Sequence, residues 1–585
     1  MKWLPLRRMG THGTLSFRTG ARLGTGLLWL LALTSGCGGS LLRVSPSGQL
    51  PPQGPPHIEQ AQDLGGLPLP AIGALSTEHS DELFTPGEWV ALRGKNLVPQ
   101  SRIAIGGRPA QVAGVLDGGG LLLRVPRGVS PGQQMLSLDN GMGTAQTTLS
   151  TAIYAFGGDA GGNALRLRQL GPEREEFTDQ QHDIAFPLAR FSVLSPDGAM
   201  LYVLQEPTSE DEPEETGQPG TPPLATANSD LLIVHLGGKK GPRRVGQVPL
   251  ALQGKPTGLA MGPYGQLVVL QKRQLTVMDT QNPLLPTPLA NLPLAAPEQQ
   301  RELIDAEFLG DGKQLAVLEA YANQVHLVDL SVPSQPRLLS GISLSQAFEQ
   351  PFSIDLAPGA DGQSLWVLQG PNLRLAGKRL VDGLSGAWRD AKALELKAAG
   401  KTLGNTAVGT AMLPSESLTR LSLLQLAAGQ LQLTKSIALP PDIFPFFVQP
   451  DNRGSLFVSG VNRKNQFTDL EASLDGVKRL LVGLKDTVQL GVVLKVGTED
   501  GSVTTAVQGM AIYYDLALLP SGQLLTSTVR LGPGYIPPRL TLDWGFEVPG
   551  RSFARLREVA NTGLKLTDVV RRMLPPYRYE RIGVQ

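Results

Sequence analysis

The stretch Phe191-Ser-Val-Leu-Ser-Pro-Asp-Gly198, followed by Met200-Leu-Tyr-Val-Leu204, is the part of the sequence from which the fold is predicted. It consists of a strand-forming run, a Gly turn and a second apolar run, which is typical of a β-hairpin. Five further copies follow, with turn glycines at Gly265, Gly312, Gly362, Gly454 and Gly522. Several copies continue into more strands, such as Gln324-Val-His-Leu-Val-Asp329. A four-stranded unit that recurs about every 45–50 residues predicts one blade of a β-propeller.

The number of copies predicts the number of blades. Six copies and one degenerate copy, around Leu413–Leu418 and Leu421–Leu426, favour seven blades over residues 160–548, and six or eight blades remain open. Apolar residues recur at alternate positions after each turn, so they are expected on one sheet face, packed between blades. These residues are Leu201, Val203, Leu267, Val269, Leu315, Val317, Leu365 and Val367. The S-P-D-G-x-x-L-Y-V form resembles the repeats of YVTN-type and WD40-like propellers.

Three segments depart from the repeat pattern. Residues 206–228 are acidic and rich in Pro and Thr, which favours a disordered loop over a calcium site. Residues 465–490 form a second insertion, in which helical and strand spacing are both present. Residues 549–585 are predicted to be a short C-terminal helix and tail, because apolar residues follow helical spacing up to Pro575-Pro576.

Residues 79–156 predict a separate β-sandwich. Short alternating runs are separated by turn residues at intervals of about 8–12, as in Ig-like folds. The segments that carry a family resemblance are Pro86-Gly87, Gly94-Lys-Asn-Leu97, Ile105-Gly-Gly-Arg-Pro-Ala110, Val125-Pro126, Pro131-Gly132 and Asn140-Gly141. In this order they resemble the IPT/TIG Ig-like domain. The resemblance implies a binding or spacer module without catalytic residues.

The N-terminal residues predict export and attachment to a membrane. Residues 1–36 combine basic residues, the apolar run Leu27–Leu33 and small residues, which together are typical of a secretory signal. Leu33-Thr-Ser-Gly-Cys37 resembles the bacterial lipobox, although Thr34 stands where that motif usually has Leu. The resemblance implies that Cys37, the one cysteine in the chain, is acylated and that the protein is anchored to the outer membrane, facing the periplasm or the cell surface. Residues 37–78 are rich in Pro and Gly and predict a flexible tether.

Composition excludes several kinds of site. The formal net charge is +1, which gives no electrostatic footprint for nucleic acid, and one cysteine excludes a disulfide framework or a cysteine-based metal site. The sequence has no linear motif of a hydrolase, a metalloprotease or a phosphate-binding loop. No catalytic, cofactor-binding or metal-binding residue and no cofactor are therefore predicted.

Five residues remain as candidates for chemistry. His235 and His326 lie in predicted strands and are expected to be core histidines rather than metal ligands, since no partner has metal-ligand spacing. Asp305, Glu307 and Asp355 begin inner-strand motifs and could point into a central channel. There they would bind a cation or a substrate, and the favoured alternative is a polar lining around water.

Together, these features predict an all-β protein that consists of an Ig-like sandwich, a large propeller and a short C-terminal helix. The favoured function is a non-catalytic envelope lipoprotein that acts as a scaffold for protein partners. One alternative is a propeller hydrolase, lyase or quinoprotein that uses the central channel. Another is a surface protein that binds polysaccharide or acts in adhesion, for which exposed tryptophans would cluster; Trp366, Trp388 and Trp544 are too dispersed to decide.

Overall fold

The computed structural model describes residues 44–45, 51–65, 80–116, 119–158, 164–171, 177–205, 226–294, 302–320, 322–344, 352–370, 419–441, 443–451, 453–462, 491–509, 512–532, 539–547 and 582–585. Within these ranges every regular element is a β-strand, which confirms the all-β fold class. No helix long and apolar enough to cross a membrane occurs among these residues. The predicted signal, Cys37, the insertion 465–490 and the predicted C-terminal helix lie outside them.

The strands nearest the N-terminus form a sandwich of two antiparallel sheets. They are β1 (Val44–Ser45), β2 (His57–Asp63), β3 (Trp89–Lys95), β4 (Arg102–Ile105), β5 (Arg108–Pro109), β6 (Val112–Leu116), β7 (Gly120–Arg124), β8 (Gly132–Asp139) and β9 (Thr144–Thr151). One sheet has the order β1-β6-β7-β3-β2 and the other β5-β4-β8-β9. Alternate residues of both sheets, such as Val90, Leu121 and Leu136, meet in one buried cluster. This packing of two inner faces is that of a β-sandwich, as predicted.

Part of the predicted tether belongs to this sandwich. β2 pairs with β3, and β1 pairs with β6, although both lie within residues 37–78. Ile58 and Ala61 of β2 pack against the sandwich core. The prolines that suggested a tether, Pro55-Pro56, stand just before β2, where a missing N–H interrupts no sheet hydrogen bond.

The remaining strands of the described residues form seven sheets, here called blades 1 to 7. Blade 1 consists of β10 (Ile153–Gly158), β11 (Ala164–Leu170), β12 (Phe177–Ala185) and the C-terminal β36 (Gly583–Val584), and blade 2 of β13 (Ala189–Leu194), β14 (Met200–Gln205), β15 (Thr226–His235) and β16 (Arg243–Gln253). Blade 3 consists of β17 (Pro256–Met261), β18 (Leu267–Gln271), β19 (Gln274–Asp279) and β20 (Thr287–Pro293), and blade 4 of β21 (Leu303–Leu309), β22 (Gln314–Glu319), β23 (Gln324–Asp329) and β24 (Arg337–Ser343). Blade 5 consists of β25 (Phe352–Pro358), β26 (Ser364–Gly370), β27 (Arg420–Ala427) and β28 (Gln430–Ala438), and blade 6 of β29 (Ile443–Pro450), β30 (Ser455–Asn462), β31 (Gly491–Gly497) and β32 (Val503–Gly509). Blade 7 consists of β33 (Ile512–Leu518), β34 (Leu524–Gly532) and β35 (Arg539–Glu547).

A separate hydrophobic cluster fills each interface between neighbouring blades, and together these clusters close a ring. Leu315 and Val317 of blade 4, for example, pack with residues of blade 3. The same arrangement recurs between blades 1 and 2, 2 and 3, 4 and 5, 5 and 6, and 6 and 7. The last cluster joins Leu525 of blade 7 to Ile153 of blade 1. All eight apolar residues predicted to pack between blades are at most 1% exposed, which confirms that prediction.

The turn glycines of the repeats also behave as predicted. All six have a positive φ, between +66° and +91°, a conformation that other residues rarely adopt. At Gly198 the preceding Asp197 reinforces the turn, because its Oδ1 accepts a hydrogen bond from the N–H of Ala199 (3.0 Å). The S-P-D-G motif therefore specifies a tight connection between the two inner strands of a blade.

The seventh blade is not where the sequence placed it. Leu421–Leu426, predicted as part of a degenerate blade, lie in β27, the third strand of blade 5, and Leu413–Leu418 lie outside the described residues. The additional blade instead combines β10–β12 with the C-terminal β36, which pairs with β10. The ring therefore starts at Ile153, inside the predicted Ig-like range, and the last residues of the predicted helix-and-tail segment form a strand of the ring. Likewise, the predicted insertion 206–228 ends in strand, because β15 starts at Thr226.

The two ends of the ring differ in their connections. The four strands of a blade are antiparallel and are numbered from the channel outward. The connections between the second and third strands, and those from one blade to the next, therefore lie at the same end of the ring. Three of the four longest gaps between consecutive strands of the ring, residues 206–225, 371–419 and 463–490, are second-to-third connections and belong to that end, which we call the insertion end; the fourth, residues 548–582, follows the third strand of blade 7. The sandwich contacts turns of the opposite end, which we call the sandwich end.

Candidate functional site

The inner-strand carboxylates predicted from the sequence connect neighbouring blades. Asp305 of β21 and Asp355 of β25 are both buried. Oδ2 of Asp305 accepts a hydrogen bond from the N–H of Leu356 in blade 5 (2.9 Å), and Oδ2 of Asp355 accepts one from the N–H of Val448 in blade 6 (2.8 Å). Each carboxylate therefore satisfies a backbone donor on the innermost strand of the next blade. Glu307 is half-buried on the same strand as Asp305.

A third carboxylate of this kind, Asp515, closes the ring. It is buried in β33 of blade 7, and its Oδ2 accepts a hydrogen bond from the N–H of Ile582, next to β36 (2.9 Å). All three aspartates directly follow a register shift in their strand, and such a bulge re-aims the side chain that follows it. Asp515 was not predicted as a candidate, although it stands at the same distance before the turn glycine of its repeat as Asp305 and Asp355.

A second group of polar side chains lies at the insertion end of blades 3, 4 and 5. In each of these blades, the first leucine of the second strand is Leu267, Leu315 or Leu365. The residue four positions after it pairs with a residue of the third strand. In blade 3, Gln271 Nε2 donates to Thr276 Oγ1 (2.7 Å), and in blade 5, Ser422 Oγ donates to Gln369 Oε1 (2.8 Å). These pairs are buried and neutral, and they connect the second strand of each blade to the third.

Blade 4 carries an ionisable pair at the same position. Nε2 of His326 lies 2.7 Å from Oε2 of Glu319, and both side chains are buried. Nδ1 of His326 has no hydrogen-bond partner. In blade 3, Asn291 Oδ1 accepts a hydrogen bond from Thr276 (2.7 Å), whereas the equivalent residue of blade 4 is Gly341. A Cβ built on Gly341 would lie 3.5 Å from His326 Nδ1 and 2.5 Å from Gln324 Nε2, so this glycine supplies no side chain that could bond to the buried nitrogen.

The group continues from blade 4 to blade 5. Asn323, just before β23, accepts hydrogen bonds from Ser353 Oγ and from Gln369 Nε2 (3.0 Å). Arg420 Nε donates to Gln369 Oε1 (2.9 Å). Asn323 Nδ2 has no hydrogen-bond partner although the residue is buried. We call the residues Glu319, Asn323, His326, Ser353, Gln369, Ser422 and Arg420 the polar network.

The polar network can carry out proton transfer at one point. When Nε2 of His326 carries its proton toward Glu319, Nδ1 is left with a lone pair, the form of imidazole that acts as a base. A carboxylate that orients the imidazole in this way is the arrangement found in nucleophilic and hydrolytic sites. His326 and His235 are both buried in strands, as expected of core histidines, but only Nε2 of His326 has a partner, Glu319, and its Nδ1 has none. Among the described residues, no three His, Cys, Asp or Glu side chains are placed to hold a metal ion.

Three other residues singled out in the sequence bear little on this region. Cys37, predicted as the lipidation site, and Trp388 lie outside the described residues. Trp366 is buried in the cluster between blades 5 and 6, so it does not contribute to an exposed aromatic surface.

Comparison with known proteins shows similarity of fold. No family model matches the chain, so the IPT/TIG resemblance stays a prediction, and no curated protein sequence matches it. Among solved structures, the chain is similar to the periplasmic gluconolactonase of Pseudomonas aeruginosa, with 13% identity, a TM-score of 0.42 and coverage of 70% of this chain and all of that one. It is similar to a proposed 6-phosphogluconolactonase of Bacteroides uniformis, with 13% identity, a TM-score of 0.42 and coverage of 70% and 95%. It is also similar to the β-propeller domain of Cps50 (Swd1) from Myceliophteria thermophila, with 12% identity, a TM-score of 0.34 and coverage of 65% and 88%.

These comparisons correct the favoured function. The expectation of a non-catalytic scaffold is wrong, because similar structures include proteins named as gluconolactonases. The prediction that the chain is not an enzyme conflicts with the same names, at identities of 12–13%. The physical reason is that propeller sites combine residues from several blades, so a site in this fold leaves no linear motif in the sequence.

Proposed function

We propose that this chain is a propeller enzyme that hydrolyses a small cyclic ester at the insertion end of blades 4 and 5. The observation that supports this most is the Glu319–His326 pair, which is ionisable where blades 3 and 5 have neutral pairs. A neutral pair would connect the strands equally well, and a buried charged pair adds little stability over a neutral one. The ionisable pair therefore favours a role in proton transfer.

The chemistry assigned to the pair is general-base catalysis. His326 Nδ1 takes a proton from water, the resulting hydroxide attacks the ester carbonyl, and the ring C–O bond breaks as the proton passes to the leaving oxygen. Glu319 holds the imidazole by its other nitrogen and stabilises the imidazolium that forms. Sugar lactones are the first substrates to test, because proteins named as gluconolactonases are among the similar structures.

The test compares equivalent substitutions in neighbouring blades of the purified full chain. Hydrolysis of glucono-δ-lactone and 6-phosphogluconolactone is measured for the wild type and for Glu319→Gln and His326→Gln, which are expected to lose at least a hundredfold in kcat. Gln271→Leu and Thr276→Val remove the equivalent contact in blade 3, outside the polar network, and serve as matched controls that keep activity. Thermal unfolding of all four variants accounts for losses due to stability.

A substitution that adds a group provides an independent test. Gly341→Asn places in blade 4 the side chain that blade 3 has at Asn291, so it gives His326 Nδ1 a hydrogen-bond partner. We expect activity to fall while the melting temperature stays within about 2 °C. The proposal fails if neither lactone is hydrolysed by the wild type, or if the controls lose as much activity as the blade 4 variants.

A further inference from the structure

A turn of the sandwich that touches the ring is built around a buried carboxylate. Gly87 of this turn is so close to blade 2 that a Cβ added to it would lie 2.5 Å from Cβ of Ala199. Gln585 joins the same contact, since its Nε2 donates to the carbonyls of Pro86 and Gly198 (3.0 Å each). Glu88, the next residue, is 1% exposed.

Glu88 accepts hydrogen bonds from both sides of this contact. Its Oε2 accepts one from the N–H of Thr85 in the sandwich (2.6 Å), and its Oε1 accepts one from the N–H of Gly238 in blade 2. The carboxyl group therefore occupies the junction itself, where separation of the sandwich from the ring would return it to water.

Other acidic groups surround Glu88. Asp63 of β2 is buried, and its oxygens accept hydrogen bonds from the N–H groups of Gly65 (2.8 Å) and Asp81 (3.1 Å). Asp81 and the phenol of Tyr154 in blade 1 face the same region. A junction that contains several carboxyl groups in a dry environment disfavours their simultaneous ionisation.

Positive groups lie at the edge of the junction. Arg243 of blade 2 donates to the carbonyl of Gly237 (3.2 Å) and attracts the Glu88 carboxylate. Arg124 of the sandwich forms an ion pair with Asp197 of blade 2 (2.5 Å), and the exposed Arg127 faces the same aspartate. These guanidinium groups keep their charge across the physiological range, so they do not themselves respond to pH.

We propose that this junction is a pH-dependent switch, in which protonation of Glu88 and its carboxyl neighbours seats the sandwich firmly on the ring and ionisation loosens it. Interfaces between domains of one chain are the places where relative motion is expected. Because the ring is closed by its own seven interfaces, it does not need the sandwich for closure.

The direction of the response follows from burial. Desolvation raises the pKa of Glu88 well above its usual value, and the nearby charges of Asp63 and Asp81 add to this. Burial also raises the pKa of Asp63 to about 6 and raises that of Asp81. The seated state thus binds protons more tightly than the loosened one, so seating is strongest below the ordinary carboxyl pKa and is lost as pH rises through the raised values.

One further titratable group lies near the junction. His182 of blade 1 packs against Gly241 and Tyr154, and burial lowers its pKa. Both neighbours belong to the ring, so the proposal assigns no part of the response to this histidine.

The test measures the distance between sandwich and ring in the full chain. Dyes are attached at Met142→Cys and Tyr264→Cys, both at exposed positions, in a Cys37→Ser background. Single-molecule energy transfer should show one narrow population at pH 5 and, at pH 8, a second population increased at least tenfold, since one pKa unit corresponds to a factor of ten. Glu88→Gln should keep the narrow population at both pH values, and exposed Glu59→Gln on β2 is the matched control that should respond like the wild type.

The result that overturns the proposal is a distribution that does not change between pH 5 and pH 8, or an unchanged response in Glu88→Gln. If Glu88→Gln does not fold, Asp63→Asn replaces it and should shift the midpoint of the response by at least half a pH unit. An Asp63→Asn variant with the wild-type midpoint would equally contradict the proposal. None of these outcomes depends on lactone hydrolysis.

Discussion

At the scale of single residues, the ring is held together by polar side chains that sit at equivalent positions in different blades. Asp305, Asp355 and Asp515 each accept a backbone hydrogen bond from the next blade, and each follows a bulge in its strand. Their burial was not predictable from composition, because aspartate in a strand usually faces solvent. The strand pairing gives the reason. The innermost strand of the next blade has no further strand to pair with on its channel side, and each carboxylate accepts a hydrogen bond from one of its N–H groups.

Asp355→Ala should destabilise the protein by about 1–3 kcal/mol, because the N–H of Val448 loses its acceptor in a buried position. Denaturant unfolding of the full chain measures this change. Asp311→Ala, at an exposed turn of blade 4, is the control and should stay within about 0.5 kcal/mol of the wild type. Equal stability of both variants would show that the aspartate does not connect the blades.

The polar network shows what sequence reasoning could and could not find. The repeats predicted that His326 lies in a strand. Gln271, Glu319 and Gln369 each stand four residues after the first leucine of a second strand, so an alignment of the repeats would also have shown that these three residues are equivalent. The partner of His326 could not be predicted, because Glu319 is not at metal-ligand spacing from it and only the pairing of β22 with β23 brings the two side chains together. Contacts to Asn323 and Ser353 depend on how two blades pack, which no local pattern encodes.

At the scale of elements, the strands with strong repeats were predicted and the strands that close the ring were not. Alternating apolar residues and a Gly turn identified the two inner strands of blades 2 to 7. Blade 1 has no such turn between its inner strands, since β36 and β10 are more than 400 residues apart in the chain. A two-residue strand carries no periodicity, so only pairing with β10 defines it.

Deletion of residues 582–585 should lower the melting temperature by about 5 °C or more. It removes the inner strand of blade 1, the Asp515 contact and the Gln585 contacts to the sandwich, and it exposes the edge of β10. Thermal unfolding and size-exclusion chromatography measure the change, and self-association through the open edge is expected. A matched replacement of the same four residues by an Ile-Gly-Ile-Gln sequence, which keeps the strand pattern, should restore the wild-type melting temperature. A soluble monomer that melts like the wild type after the deletion would contradict this role of β36.

At the scale of the whole molecule, the two ends of the ring have different roles. The sandwich end is held by short turns and the junction around Glu88, whereas the insertion end carries three of the four longest connections and the polar network. Binding and catalytic groups concentrate on loops that a rigid scaffold positions, so function is expected at the insertion end. This asymmetry follows from the order of strands within a blade and is not apparent in the sequence until the blades are assigned.

The attachment of the molecule to a membrane stays a prediction from residues 1–37. Cys37→Ser should move the protein from the membrane fraction to the soluble fraction, because acylation needs the thiol and stable anchoring needs more than one chain. Fractionation and mass spectrometry of the expressed full chain measure the change, and Ser35→Ala is the matched control. Retention of the Cys37→Ser protein on membranes, with the same mass as an unmodified chain, would disprove the anchor.

The central claim is that the chain closes a seven-bladed ring by pairing its last residues with Ile153–Gly158. Hydrogen exchange of the native full chain, followed by mass spectrometry of peptides that contain residues 153–158 and 582–585, tests this claim most directly. The account predicts that both peptides are protected to the same degree as the inner strand Leu303–Leu309 of blade 4, because all three lie in closed sheets beside buried clusters. Exchange of the 582–585 peptide at the rate of an unstructured chain would show that the ring is open.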